Sequence, residues 1–87
     1  MKIKKGFVIR VVGGEHVVVA VGELSKSFHG MINMNETGAF LWKFFTEEHT
    51  LEEGIDALCG EYEVERERAE TDVKRFVEIL EKNGFTE

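Results

Sequence analysis

The middle of this chain contains a strand-like run that passes without a loop into a very apolar helix. Asn35 stands at the junction and is a favourable N-cap, because its side chain accepts hydrogen bonds from the free amides of the next turn. Glu36 follows and places a negative charge near the positive end of the helix dipole. Over residues 39–45 only Lys43 is clearly polar, so the helix is predicted to be buried on more than one side. We therefore expect it to form the centre of the core.

Two valine-rich runs precede this junction. Residues 7–12 and 15–21 are rich in β-branched side chains, and Gly13-Gly14 between them supplies the positive φ angles of a tight hairpin. Both faces of the first run are apolar, so periodicity leaves open which one is buried. The alternating pattern returns over residues 28–34, which are predicted to form a third strand at the edge of the sheet.

Two further helices follow the junction helix. Thr50 and Glu53 have the spacing of a capping box, and a last helix is expected from about Arg66 to Asn83, ending at Gly84. The order of elements predicts an α+β fold in which a three-stranded antiparallel sheet is followed by three helices, similar to a winged helix-turn-helix. The whole chain of 87 residues is predicted to form one domain.

Charge and composition narrow the classes of function. The net charge is −6, and residues 50–87 hold five basic and twelve acidic side chains, which disfavours nonspecific binding to nucleic acid. The single cysteine, Cys59, cannot form an internal disulfide, which is typical of a reduced cytoplasmic protein. The longest apolar runs, 17–21 and 39–42, are far shorter than a membrane span of about 20 residues. We expect a cytoplasmic protein with no membrane partner.

No pattern in the sequence predicts an active site. The histidines, His16, His29 and His49, lie apart and lack the clustering of metal ligands. Cys59 has no neighbouring basic residue that would activate it as a nucleophile, so a buried structural thiol is the simpler interpretation. We therefore predict no catalytic residues, no metal, no cofactor and no enzymatic activity.

The chain resembles the PqqD family through four segments. These are the valine-rich hairpin, the junction 34–38 running into Leu41-Trp42, the second helix from its capping box to residue 64, and the last helix with Phe76. The resemblance implies an adaptor that binds the leader segment of a ribosomally made precursor peptide and presents it to a modifying enzyme, commonly a radical S-adenosylmethionine protein. Any iron–sulfur cluster would then belong to that partner.

The third strand and one flank of the last helix are the candidate peptide site. An edge strand offers unpaired amides and carbonyls to which an extended peptide can add, and the flexible Met31 suits varied side chains. From the residues alone, Met31 could equally pack against the last helix, and the arginines of the flank could simply pair within it. The resemblance implies that the leader adds to the third strand and lies against the third helix. The predicted peptide-binding residues are Phe28, His29, Gly30, Met31, Ile32, Asn33, Met34, Arg68, Asp72, Arg75, Phe76 and Ile79.

Two other classes of function remain open. A winged-helix form also occurs in DNA-binding proteins, but residues 66–82 carry five basic and five acidic side chains, whereas a recognition helix should be basic. A small assembly protein could instead pair its sheet edge with an identical copy. A tight dimer of that kind would occupy the edge that a peptide needs, so we expect a monomer or a weak dimer.

Overall fold

The computed structural model describes residues 1–26 and 30–87, and their secondary structure confirms the predicted α+β order. The sheet is antiparallel with strand order β1-β2-β3, and a short 3-10 turn, Gly22–Lys26, follows its second strand. The elements are β1 Phe7–Val12, β2 Glu15–Ala20, β3 Ile32–Met34, α1 Glu36–Phe44, α2 Leu51–Glu61 and α3 Arg66–Asn83.

The β1–β2 hairpin turns through two glycines in the left-handed region. Gly13 has φ 58° and Gly14 has φ 81°, values that a tight turn of the mirror-image type requires and that glycine adopts without strain. The register pairs Val12 with Glu15 at the turn and Phe7 with Ala20 at the far end. The hairpin predicted from the two valine-rich runs is confirmed.

The third strand is shorter than the sequence pattern predicted. It begins at Ile32, which pairs with Val18 of β2, and ends at Met34, which pairs with His16. Gly30 and Met31 precede the strand, and glycine has a low strand propensity because it has no side chain to pack. The part of the prediction that falls on Phe28 and His29 lies outside the described residues.

The structure settles which face of the sheet is buried. Phe7, Val18 and Met34 belong to the core cluster, with Ile9 and Ile32 packed against it from the same face. The helices cover this face. Burial of apolar surface against them is the main favourable term holding the layers together.

The three helices supply the rest of the core. Leu41 and Trp42 of α1 are fully buried, as predicted for the central helix, and Phe45 follows directly at its C-cap. Asn35 caps α1 and the Thr50–Glu53 capping box opens α2, so both predicted N-termini are confirmed.

The two ends of the described chain pack against each other, which the sequence patterns had not indicated. The amide of Ile3 donates to the Phe45 carbonyl at 2.8 Å, and the amide of Lys4 donates to the Phe85 carbonyl at 2.7 Å. Gly84 ends α3 with φ 68°, and this turn brings the fully buried Phe85 back onto the core. Its ring lies edge-on to Trp42 with the centroids 5.5 Å apart.

Candidate binding groove

A groove of about 200 Å³ lies between β3, the first turn of α1 and one flank of α3. It is half open to solvent, so it suits a segment that lies along the surface better than an enclosed small molecule. Its lining residues are Asn33, Met34, Asn35, Thr37, Gly38, Asp72, Arg75, Phe76 and Ile79.

One wall of the groove is the outer edge of the sheet. Among the described residues, β3 pairs with β2 on one side only, because the strand order places it at the end of the sheet. An edge strand presents backbone amides and carbonyls that no neighbouring strand satisfies. The groove therefore adjoins a row of available backbone hydrogen-bonding groups.

The junction between β3 and α1 is built by short-range contacts. The side-chain oxygen of Asn35 accepts from the Gly38 amide at 2.8 Å and from the Thr37 hydroxyl at 3.1 Å. Gly38 lies so close to these groups that a Cβ atom there would be 3.0 Å from that oxygen and 3.2 Å from the sulfur of Met34. The run from Met34 to Gly38 thus shapes the floor where the strand meets the helix.

Asn35, Thr37 and Gly38 were missing from the predicted site although they line the groove. The signal that could have identified them is the junction motif itself. An N-cap that follows a strand directly must lie beside the strand's end, and therefore beside any groove that the strand borders.

The groove is apolar at its base and charged on the side of α3. Met34 and Phe76 are almost fully buried, and Ile79 is half-buried beside them. The Arg68 guanidinium lies 3.6 Å from the Asp72 carboxylate, which offsets the acidic charge on this wall. Among the described residues, Arg75 has no carboxylate within 4.0 Å, so its charge is available to a ligand.

The structure brings together half of the predicted peptide-binding residues in this groove. Ile32 lies next to them in β3 and packs against the core. Met31 precedes the strand and is 64% exposed, so most of its side chain lies at the surface of the protein. Gly30 is exposed as well, and Arg68 is outside the lining but contacts it through Asp72. The predicted residues found in the lining are Asn33, Met34, Asp72, Arg75, Phe76 and Ile79.

Hydrogen bonds and burial away from the groove change the pKa of several side chains. The backbone amide of Thr50 lowers the pKa of Glu53 in the capping box. Arg66 of α3 forms a hydrogen bond with Asp56 of α2, and this bond raises the pKa of Arg66. Burial raises the pKa of Tyr62. No group of three or more possible metal ligands occurs in the described part of the chain. No helix in that part is long and apolar enough to cross a membrane.

The fold and the groove together define a winged-helix-like α+β protein whose sheet has an open edge beside its last helix. The chain belongs to the PqqD family, because the sequence model of the family described as Coenzyme PQQ synthesis protein D (PqqD) matches residues 15–85. A search of curated proteins gave no significant match.

Solved structures with a similar fold include two complexes with a leader peptide. One is described as TbiB1 in complex with the TbiA(beta) leader peptide. It is 28% identical, covers 100% of this chain and 95% of its own, and superposes with a TM-score of 0.75. The other is described as lasso peptide synthetase B1 complexed with the leader peptide. It is 24% identical with a TM-score of 0.71, over 97% of this chain and 93% of its own, and supports the fold.

Proposed function

We propose that this chain is a peptide-binding adaptor. It binds the leader segment of a ribosomally made precursor peptide as an additional strand on β3 and presents the precursor to a separate modifying enzyme. Membership of the PqqD family supports this function, as does the similarity to TbiB1, which is described in complex with a leader peptide.

The observation that carries the proposal is the continuity between the open edge of β3 and the groove against α3. In strand addition, backbone hydrogen bonds provide affinity, and pockets for alternate side chains provide specificity. The edge supplies the first and the groove supplies the second. The candidate site consists of β3 with Met31 before it, the junction through Gly38, and the α3 flank around Arg75 and Ile79.

The chain contributes binding and the partner contributes chemistry in this proposal. We take the modifying enzyme to be a radical S-adenosylmethionine protein, as the family resemblance implies, and any cluster or cofactor belongs to it. Because precursor peptides are made on ribosomes, the cytoplasm is the proposed place of encounter. We propose that residues 1–87 act as one recognition unit.

Calorimetric titration with overlapping synthetic peptides that span a candidate precursor tests this function. A peptide from the leader portion should bind with one-to-one stoichiometry, and peptides from the portion to be modified should bind far more weakly. Leader binding should also increase co-purification of the adaptor with the modifying enzyme. Absence of binding to every peptide, combined with binding to duplex DNA or a tight dimer in sedimentation, would overturn the proposal.

A further inference from the structure

We infer that Asn33 is the residue of β3 that hydrogen-bonds the bound peptide backbone. We further infer that the bound segment carries an apolar and an acidic side chain two residues apart. This inference rests on the proposed function and specifies how the same site reads a peptide. It follows from the phase of the sheet's hydrogen bonds, that is, from which residues of each strand direct their backbone amide and carbonyl to which neighbouring strand.

The two-residue turn of the hairpin sets that phase. A turn of this type closes on a hydrogen-bonded pair, here Val12 and Glu15, and such pairs alternate along an antiparallel ladder with pairs that exchange no hydrogen bonds. A second observation gives the same phase, because the Val21 amide donates to the Gly6 carbonyl at 2.8 Å. Gly6 and Val21 each lie six residues from the Val12–Glu15 pair, and this even number matches the alternation. Val17 lies two residues after Glu15, so its backbone amide and carbonyl also face β1.

The same alternation continues into β3. The backbone groups of His16 and Val18 face β3, so their partners Met34 and Ile32 use their own amides and carbonyls on β2. Asn33 lies between them, opposite Val17, and must direct both its amide and its carbonyl away from β2. These groups point to the open edge, and Asn33 also lines the groove.

This phase decides where the peptide's side chains point. The peptide residue opposite Asn33 has its side chain on the same sheet face as the side chain of Asn33, in either chain direction. Its two neighbours point to the other face, together with Ile32 and the buried Met34. That face is covered by the helices, so these two neighbours enter the groove against α3.

The groove offers different chemistry to the two side chains. Phe76 and Ile79 present an apolar surface that suits an aliphatic or aromatic side chain. Arg75 presents a guanidinium that has no carboxylate partner among the described residues, whereas Asp72 is already paired with Arg68. A carboxylate on the peptide is the complement of Arg75. The predicted pattern is apolar–any–acidic in either order.

Selection from a displayed library of random 12-residue peptides, followed by amide exchange on the labelled protein, tests both parts. Enriched peptides should share the apolar–any–acidic pattern, and replacing the acidic residue of one such peptide by its amide should weaken binding about fivefold. In the free protein, the Asn33 amide should exchange quickly and those of Ile32 and Met34 slowly. Binding should protect Asn33.

The outcomes separate the inference from the function on which it rests. If selection enriches no peptide that binds the protein, both the proposed strand addition and the inferred pairing at Asn33 would be overturned. Peptides that bind but leave the Asn33 amide unprotected would overturn the pairing alone, as would slow exchange at Asn33 in the free protein. Binders that protect Asn33 but lack the pattern would overturn the specificity.

Discussion

The Arg68 guanidinium lies 3.6 Å from the Asp72 carboxylate, one helical turn further along α3. The exposed fraction is 72% for the Arg68 side chain and 17% for that of Asp72, so the pair reaches from solvent to the margin of the groove. Arg68 therefore offsets the negative charge of Asp72, an acidic side chain that lines this wall. Arg75 lines the groove on the same flank and has no carboxylate within 4.0 Å among the described residues.

Reversing the charge of Arg75 should weaken the binding of peptides with an acidic residue. We expect Arg75→Glu to raise the Kd of such a peptide about tenfold, or about 1.4 kcal/mol, because attraction to the carboxylate of the peptide becomes repulsion. Isothermal titration measures the change. The matched control is Lys74→Glu, which alters the net charge equally at an exposed position outside the lining. Equal effects of both variants would indicate a general charge effect and no role for Arg75.

Proline at two adjacent positions of β3 should separate peptide binding from folding. Asn33→Pro removes an amide that faces the open edge, so the thermal midpoint should change little while peptide binding is lost. Ile32→Pro removes an amide that faces β2. It should destabilise the fold by about 1–3 kcal/mol, because the buried carbonyl of Val18 loses its hydrogen-bond donor. Urea denaturation and titration of both variants provide the comparison. The reverse order of effects would contradict the assigned phase.

Two glycine-to-alanine changes should have opposite effects on stability. Gly60 lies in α2 with open space around its missing side chain, so Gly60→Ala should stabilise by about 0.5–1 kcal/mol through helix propensity. Gly38→Ala adds a methyl group against the capping oxygen of Asn35 and the sulfur of Met34. We expect it to destabilise by about 1 kcal/mol as the cap is displaced, and to weaken peptide binding. Denaturant midpoints test this, and equal stabilisation by both changes would refute the tight junction.

The capping box of α2 should give stability that depends on pH. The hydrogen bond from the Thr50 amide, 2.8 Å from the Glu53 carboxylate, lowers the pKa of Glu53 below its ordinary value of 4.5. Because the pKa is lower in the folded state, this stabilisation is fully present above pH 4.5 and is lost as the pH falls through the lowered value. Thermal midpoints of the protein and of Glu53→Gln, measured from neutral pH to about pH 2, should therefore converge in acid. A constant difference between them would contradict this role.

The sequence predicted the local elements well because their causes lie within a few residues. The cap at Asn35 and the capping box at Thr50 each join a side chain to a backbone group three residues away. The end of α3 at Gly84 depends on the left-handed backbone conformation of that glycine. The third strand was predicted less well. The alternation of apolar and polar residues begins before Ile32 in the sequence, whereas pairing with β2 begins only at Ile32. Strand ends depend on a partner strand, and the partner is not encoded locally.

The family signature pointed to the region of the candidate groove but not to all of its lining residues. Six of the predicted residues line the groove, whereas Arg68 acts on it only through Asp72. Asn35, Thr37 and Gly38 were assigned only to the start of a helix, although they also border the groove. The sequence of a capping motif predicts the hydrogen bonds within the motif, but it does not predict which distant segment packs beside it.

The sequence by itself determined the order of the elements, the turn at Gly13-Gly14, the helix caps and the excess of acidic charge. Local hydrogen bonds, backbone preferences and composition are sufficient to determine these features. Only the tertiary structure decided which face of β1 is buried and that Ile3 joins the core. It also decided that Asn33 points to the open edge beside Arg75. These features depend on packing and register between distant segments, and no short stretch of sequence specifies them.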